Sequence, residues 1–371
     1  MNFRSYFVLA LLFLTLTSCR NFRIDGFTGS TLLWESGANN YFNQEKATEL
    51  ETPKFLLVTG EVEKDVKLLL EKIPWHSVAV KEGRMNGDTL KFEGTFRYDG
   101  FALCDILSSI KIDKRSKNDF YPPVDLYVVV YNHKGEYATF SWGEIFYSAN
   151  MYQIIVAKNV TRVVPGKTGV LWNLSKTSKL VVGTDMLSAR NIDNPTKIVI
   201  KSLSGNFKVN RNPEKFYTET MELNGPDSTY AKLDKLPQEL PVLSFKTIYY
   251  GNSMGYKGIK TFTGVSLGEV MRPYYPVDDS SLRTGLVCIE GVDGYRSSFS
   301  LSELINRNDQ QEVLLMFGVS KNKNRGKNSG ENNVKDMKKD NDKGRETFSV
   351  YAGCDMFADR SIKGVNKITL Y

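Results

Sequence analysis

Histidine is almost missing from the 371 residues: His76 and His133 are the only two, and cysteine is held to Cys19, Cys104, Cys288 and Cys354. Neither histidine stands near a cysteine pair, which argues against the ordinary zinc and haem-iron ligand sets. A Ser-His-Asp hydrolase would need one of the two. Yet His133 falls in a turn, His76 follows Pro74-Trp75, and neither adjoins a nucleophile-elbow motif. Gly166-Lys167-Thr168 resembles the end of a phosphate-binding loop, but Thr161 stands where the first glycine belongs, so the segment reads as a turn. Beyond the N-terminus no apolar run reaches membrane length, and the rest of the chain reads as soluble.

What is present begins with an address. Arg4 precedes an apolar run from Tyr6 to Thr17, too short to span a bilayer comfortably, which ends in Leu16-Thr17-Ser18-Cys19. Small residues directly before a cysteine resemble the bacterial lipoprotein signal, in which residues 1–18 are removed and Cys19 is lipidated. The alternative is an ordinary signal peptide with an incidental cysteine. A lipid on Cys19 implies a protein held to a membrane without spanning it. Arg20 follows with no acidic run after it, which by known sorting rules points to the outer membrane, on its periplasmic or surface face.

The net charge of +7 is concentrated rather than spread. Between Lys321 and Arg345 there are nine Lys or Arg against four Asp or Glu, a surplus of five. With Val334 and Met337 as its only apolar side chains, this stretch is expected to be a mobile, solvated insertion (residues 319–345), with polyanion, partner or lipid contact as the functional alternatives. Nucleic acid is not an expected partner.

The strongest signal is internal repetition. Asp185-Met186-Leu187-Ser188-Ala189-Arg190 returns as Asp355-Met356-Phe357-Ala358-Asp359-Arg360 at an offset of 170, and both run on to Lys-Ile, at 197 and 367. Lys134 to Ser141 aligns with Asp293 to Ser300 at an offset of 159, and Glu144 and Glu303 keep that register. Gly100 to Leu103 matches Gly264 to Leu267, and Leu70 to Pro74 matches Leu233 to Pro237. The period is too long for a solenoid. The expected organisation is a tether at 19–53, repeat one at 54–200, a connector at 201–222 and repeat two at 223–371. Leu126 to Tyr131 and Leu286 to Glu290 read as buried strands, Leu103 to Ile110 and Leu267 to Met271 as short helices. Ser141…Glu144 and Ser300…Glu303 read as capping boxes. The expected class is therefore α+β, in two tandem strand-rich domains.

Gly264-Val265-Ser266-Leu267, the Asp293-Gly294-Tyr295 turn and the closing Asp359-Arg360…Asn366-Lys367-Ile368 together resemble the molybdopterin-binding domain of the sulfite oxidase-like oxidoreductases, over most of repeat two and more weakly in repeat one. The resemblance implies a cysteine ligand to molybdenum ahead of the Gly-Val-x-Leu helix. The corresponding stretches, Val78 to Phe96 and Val242 to Thr261, contain no cysteine. Cys288, and after it Cys104, is the fallback ligand; a buried structural thiol is the plainer reading of each. Cys288 and Cys354 are also a candidate disulfide. Arg190 and Arg360 are candidate pterin-phosphate ligands by the resemblance, or internal braces to Asp185 and Asp355. The leading expectation is a lipid-anchored, metal-free binding or interaction protein with degenerate domains of this type, its small-molecule or protein partner unknown. The alternatives are a molybdopterin-dependent oxidoreductase with an atypical ligand and an accessory lipoprotein of an outer-membrane uptake system.

Overall fold

A computed structural model describes residues 42–43, 46–87, 89–165, 171–205, 207, 209, 216–251, 255–319 and 346–371. Cys19, the signal segment and most of the tether lie outside the described residues, as does all of the basic insertion but its first residue, Val319. No helix among the described residues is long and apolar enough to cross a membrane.

Besides the two-residue strands Phe42–Asn43, Thr48–Glu49 and Val164–Pro165, the first half contributes ten strands that recur in the second: β1 (Phe55–Gly60), β2 (Val66–Leu69), β3 (Trp75–Asn86), β4 (Thr89–Ala102), β5 (Leu126–Asn132), β6 (Tyr137–Ser141), β7 (Ile154–Arg162), β8 (Lys179–Val182), β9 (Ile192–Asp193) and β10 (Pro195–Ser202). The second half repeats the series as β11 (Met221–Asn224), β12 (Thr229–Leu233), β13 (Leu243–Gly251), β14 (Gly255–Ser266), β15 (Leu286–Gly291), β16 (Arg296–Ser300), β17 (Val313–Val319), β18 (Glu346–Ala352), β19 (Ile362–Lys363) and β20 (Val365–Leu370). Two sheets in the first half have the orders β2-β1-β10-β5-β6 and β9-β8-β7-β4-β3. The second half gives β12-β11-β20-β15-β16 and β13-β14-β17-β18-β19, the same orders shifted by ten. In each half the first and last strands pair in parallel, Leu57 with Lys197 and Glu222 with Lys367, so the end of a half closes onto its beginning.

The expected α+β class in two tandem sulfite oxidase-like domains is corrected here. The chain is mostly β, 51% strand and 15% helix, with four small sheets in a β-propeller-like arrangement. The reason is local. The helices are single turns: α1 (Leu103–Leu107), α2 (Trp142–Phe146), α3 (Leu267–Met271), α4 (Asp279–Thr284) and α5 (Leu301–Ile305). Ser141 and Glu144 do form a complete capping box, and Ser300 caps Glu303, but each cap starts a helix that ends after five residues. One turn fixes many dihedrals for few hydrogen bonds, so it persists by packing rather than by propensity.

Each half has its own apolar core. Hydrogen bonds that follow the repeat join them, beside a small apolar cluster of Tyr127, Leu203, Leu286 and Cys288. Segment 147–149 bonds to 354–356 (Ala149 N–H to Cys354 O, 2.9 Å; Met356 N–H to Tyr147 O, 2.9 Å). Its counterpart, 306–308, bonds to 184–186 (Met186 N–H to Asn306 O, 2.7 Å; Asn308 N–H to Thr184 O, 2.9 Å).

Candidate functional site

The repeated Asp…Arg phrase lies on this seam. A 3₁₀ turn, Ser188–Arg190, aims the first arginine inward, and Ala358–Arg360 does the same for the second. Arg190 donates through Nε and Nη2 to both oxygens of Asp185 (2.8 and 2.6 Å) and through Nη1 to Glu144 (2.9 Å). The same Nη1 reaches Ser300 Oγ in the other half at 2.9 Å. Arg360 holds Asp355 in the same bidentate way, stands 2.6 Å from Glu303 and donates from Nη1 to Ser141 Oγ in the first half at 3.1 Å. Ser141 Oγ in turn donates to Glu303 at 2.7 Å. Both guanidiniums are fully buried, each over a phenylalanine ring, Phe140 or Phe299. The geometry is that of an internal brace, with the planar forks filled by carboxylates. Four buried carboxylates share two arginines here. Burial therefore pushes Glu144 up to about 7, with Glu303 and Asp185 adding to the effect against the pull of Arg190.

Cys104 and Cys288 stand apart from this network, whereas Cys354 borders it, its Sγ donating to Asp355 Oδ1 at 3.6 Å. Cys104, Cys288 and Cys354 are all buried and free, so the candidate Cys288–Cys354 disulfide is not formed. Cys288 lies mid-strand on β15, opposite Ser298, in a small cluster with Leu203 and Leu286. Burial pushes its thiol well above the ordinary range, the opposite of what a thiolate metal ligand needs. With Arg190 and Arg360 already saturated, the residues named for a molybdopterin do not fit that group as placed.

A site that the repeat pattern missed lies where the halves meet the connector. After the Asp293-Gly294 turn, β16 opens with Arg296, which crosses to the first half and donates from Nε to Asp125 at 3.0 Å. Its guanidinium is sandwiched between Phe120 (4.4 Å) and Phe207 (4.1 Å). Lys114 Nζ approaches the other oxygen of Asp125 at 2.6 Å and donates to the carbonyls of Phe120 and Pro122. Burial pulls Lys114 down and pushes Asp125 up. Two cations thus share one fully buried carboxylate.

Arg296 is only 2% exposed, yet its Nη1 has no hydrogen-bond partner among the described residues, and neither does Ser116 Oγ. Both line a cavity of about 680 Å³ whose walls include Glu61, Arg115, Ser202 and Phe207. Glu61 is occupied, accepting from the Ser202 N–H and Oγ and from the Arg115 N–H.

No protein-family model matches this chain, and no curated protein matches it. Nothing in those comparisons identifies a sulfite oxidase-like domain. The site's chemistry must be read from its own atoms. An unpaired buried N–H on a cation is costly unless something accepts from it, and here Phe120 and Phe207 cover the two faces of the guanidinium that carries it. Such a place suits a carboxylate or another oxyanion. One sequence signal pointed to it: Arg296 aligns with Tyr137 in the first repeat, so the charge is private to one copy.

Proposed function

We propose that the protein is a membrane-tethered binding protein, anchored through lipidated Cys19, that seats a small molecule by its carboxylate or oxyanion beside Arg296. The observation that carries this reading is the unpartnered Nη1 of a buried arginine that lines a cavity between the halves. Its volume is in the range of small-molecule sites, and polar groups converge on it, Arg296, Ser116 and Ser202 among them. The unpartnered donors are few, Arg296 Nη1 and Ser116 Oγ, and the carboxyls of Glu61 and Asp119 share the wall, so a compact monoanion is favoured over a multiply charged phosphate ester.

The test is melting temperature against increasing acetate, lactate, sulfate and inorganic phosphate, for the wild type, Ser116→Trp and Arg296→Lys. Ligand that binds only the folded state raises the melting temperature by mass action. A rise with acetate or lactate is expected for the wild type, absent from Ser116→Trp, which fills the cavity, and reduced in Arg296→Lys, which keeps the charge beside Asp125 but loses Nη1. A rise of equal size in all three proteins, or none with any anion, would overturn the reading.

A further inference from the structure

The free end of the fourth sheet has the composition of a membrane-contacting surface. β13 and β14 pair from Leu243 with Gly264 out to Gly251 with Gly255, but β14 meets the next strand, β17, only at Val265 and Ser266. Most of the hairpin is therefore a two-stranded ribbon standing beyond its sheet. Such ribbons are marginal in water without something packed on them. One face has that support: Phe262 stacks on Tyr351 at 3.8 Å, and Tyr249 packs at 5.5 Å from Phe262. The other face is open except where Tyr250 meets Phe357 edge-on at 5.5 Å. Two apolar cross-strand pairs lie on it, Ile248 with Ile259 (71% and 63% exposed) and Tyr250 with Tyr256 (48% and 66%). Four large apolar side chains gathered on one exposed face mark an interaction surface rather than scattered surface residues.

Charge says what kind of partner fits. From Pro241 to Gly268 the chain has Lys246, Lys257 and Lys260 and no acidic residue. All three lysines are exposed. β17 runs antiparallel to β14, so its last residue, Val319, and its partner at the start of β18, Glu346, head toward the same end as the Gly251–Gly255 tip. The chain leaves and re-enters the described structure there through the segment whose Lys and Arg outnumber Asp and Glu by five. A second copy docked ribbon to ribbon would set lysines against lysines. An anionic bilayer meets both features: Ile and Tyr seat at the headgroup boundary while Lys246, on their face, and Lys257 and Lys260, exposed on the same ribbon, reach the phosphates.

We infer that the β13–β14 ribbon, by its open apolar face and its exposed lysines, docks on anionic lipid headgroups and so presses the tethered protein against the bilayer. This inference is independent of the Arg296 cavity and needs no lipid on Cys19. The chain from Arg20 onward keeps every described residue and lacks both the apolar leader and the lipid site, so it isolates the ribbon's contribution. The probe is co-sedimentation with vesicles of phosphatidylcholine, with and without phosphatidylglycerol, for that chain and two variants of it. These are Lys246→Glu/Lys257→Glu/Lys260→Glu and Ile248→Ser/Ile259→Ser. Binding is expected only to the anionic vesicles, falling as salt is raised. The charge variant should bind on the order of a hundredfold or more weakly, and the isoleucine variant at least about tenfold more weakly. Because all five positions are exposed, both variants should melt within a few degrees of the parent. Failure to bind phosphatidylglycerol vesicles, equal binding to neutral vesicles, or a concentration-dependent dimer abolished by Ile248→Ser/Ile259→Ser would each overturn it.

Discussion

Arg190 and Arg360 each sit at the crossing of two requirements, one inside their own half and one across the seam. Removing either guanidinium strands an aspartate and a glutamate in the interior. Arg190→Ala or Arg360→Ala is therefore expected to destabilise by about 3–5 kcal/mol, read from the urea midpoint. Glu144 adds a pH dependence whose sign is fixed by its environment. Its folded pKa, about 7, lies above the ordinary 4.5. The stability carried by its protonated form is complete below the ordinary value and is lost as pH rises through about 7. The wild type should therefore lose on the order of 3 kcal/mol through this group between about pH 5 and pH 8. In Glu144→Gln, urea midpoints across that range should show a flatter slope near neutrality. An unchanged slope would mean that Glu144 stays ionised beside Arg190. Gly143 belongs to the same seam. A Cβ there would fall 2.2 Å from the Arg360 side chain, which Asp355, Glu303 and Ser141 hold in place. Gly143→Ala should cost about 1–3 kcal/mol by thermal or urea unfolding.

At the scale of elements, single helical turns act as brackets that aim side chains. Ser141 closes β6, caps α2 at the Glu144 N–H (3.0 Å) and also meets Glu303 and Arg360. One hydroxyl thus ends a strand, starts a turn and crosses the seam. Ser141→Ala should cost more than an ordinary cap, about 2–3 kcal/mol in the urea midpoint, because polar partners are left buried. The ladder between β17 and β18 runs without a break from Val313–Ala352 to Val319–Glu346. Deleting Asn322 to Gly344 from the stretch that joins them should accordingly leave the fold intact, with a melting temperature changed by only a few degrees. Collapse of folding in that deletion would show that the insertion belongs to the core architecture.

For the whole molecule, two apolar cores are tied by a charged, hydrogen-bonded seam, and the connector closes a cavity beside it. Anchoring is the remaining question at this scale. Cys19→Ser should move the protein from the membrane fraction to the soluble fraction on cell fractionation. Wild-type protein found already soluble, with its N-terminus at or after residue 19, would remove the lipoprotein reading.

The amino-acid order determined the duplication by itself, because motifs matched in the same order survive as matched strands in the same order. It also determined the pairing of each Asp with its Arg five residues on, a local relation within reach of one turn. Fold class was misjudged because capping signals mark where a helix starts and not whether it lasts beyond a turn. Only the tertiary structure decided that Ser300 and Ser141 cross over to the opposite arginines, since no spacing in sequence brings position 141 to 360. The Lys114–Asp125–Arg296 cluster was likewise hidden: its members lie in a loop, a 3₁₀ turn and a strand of different halves. Burial, which turns three ordinary charges into a site, is a property of the folded chain alone.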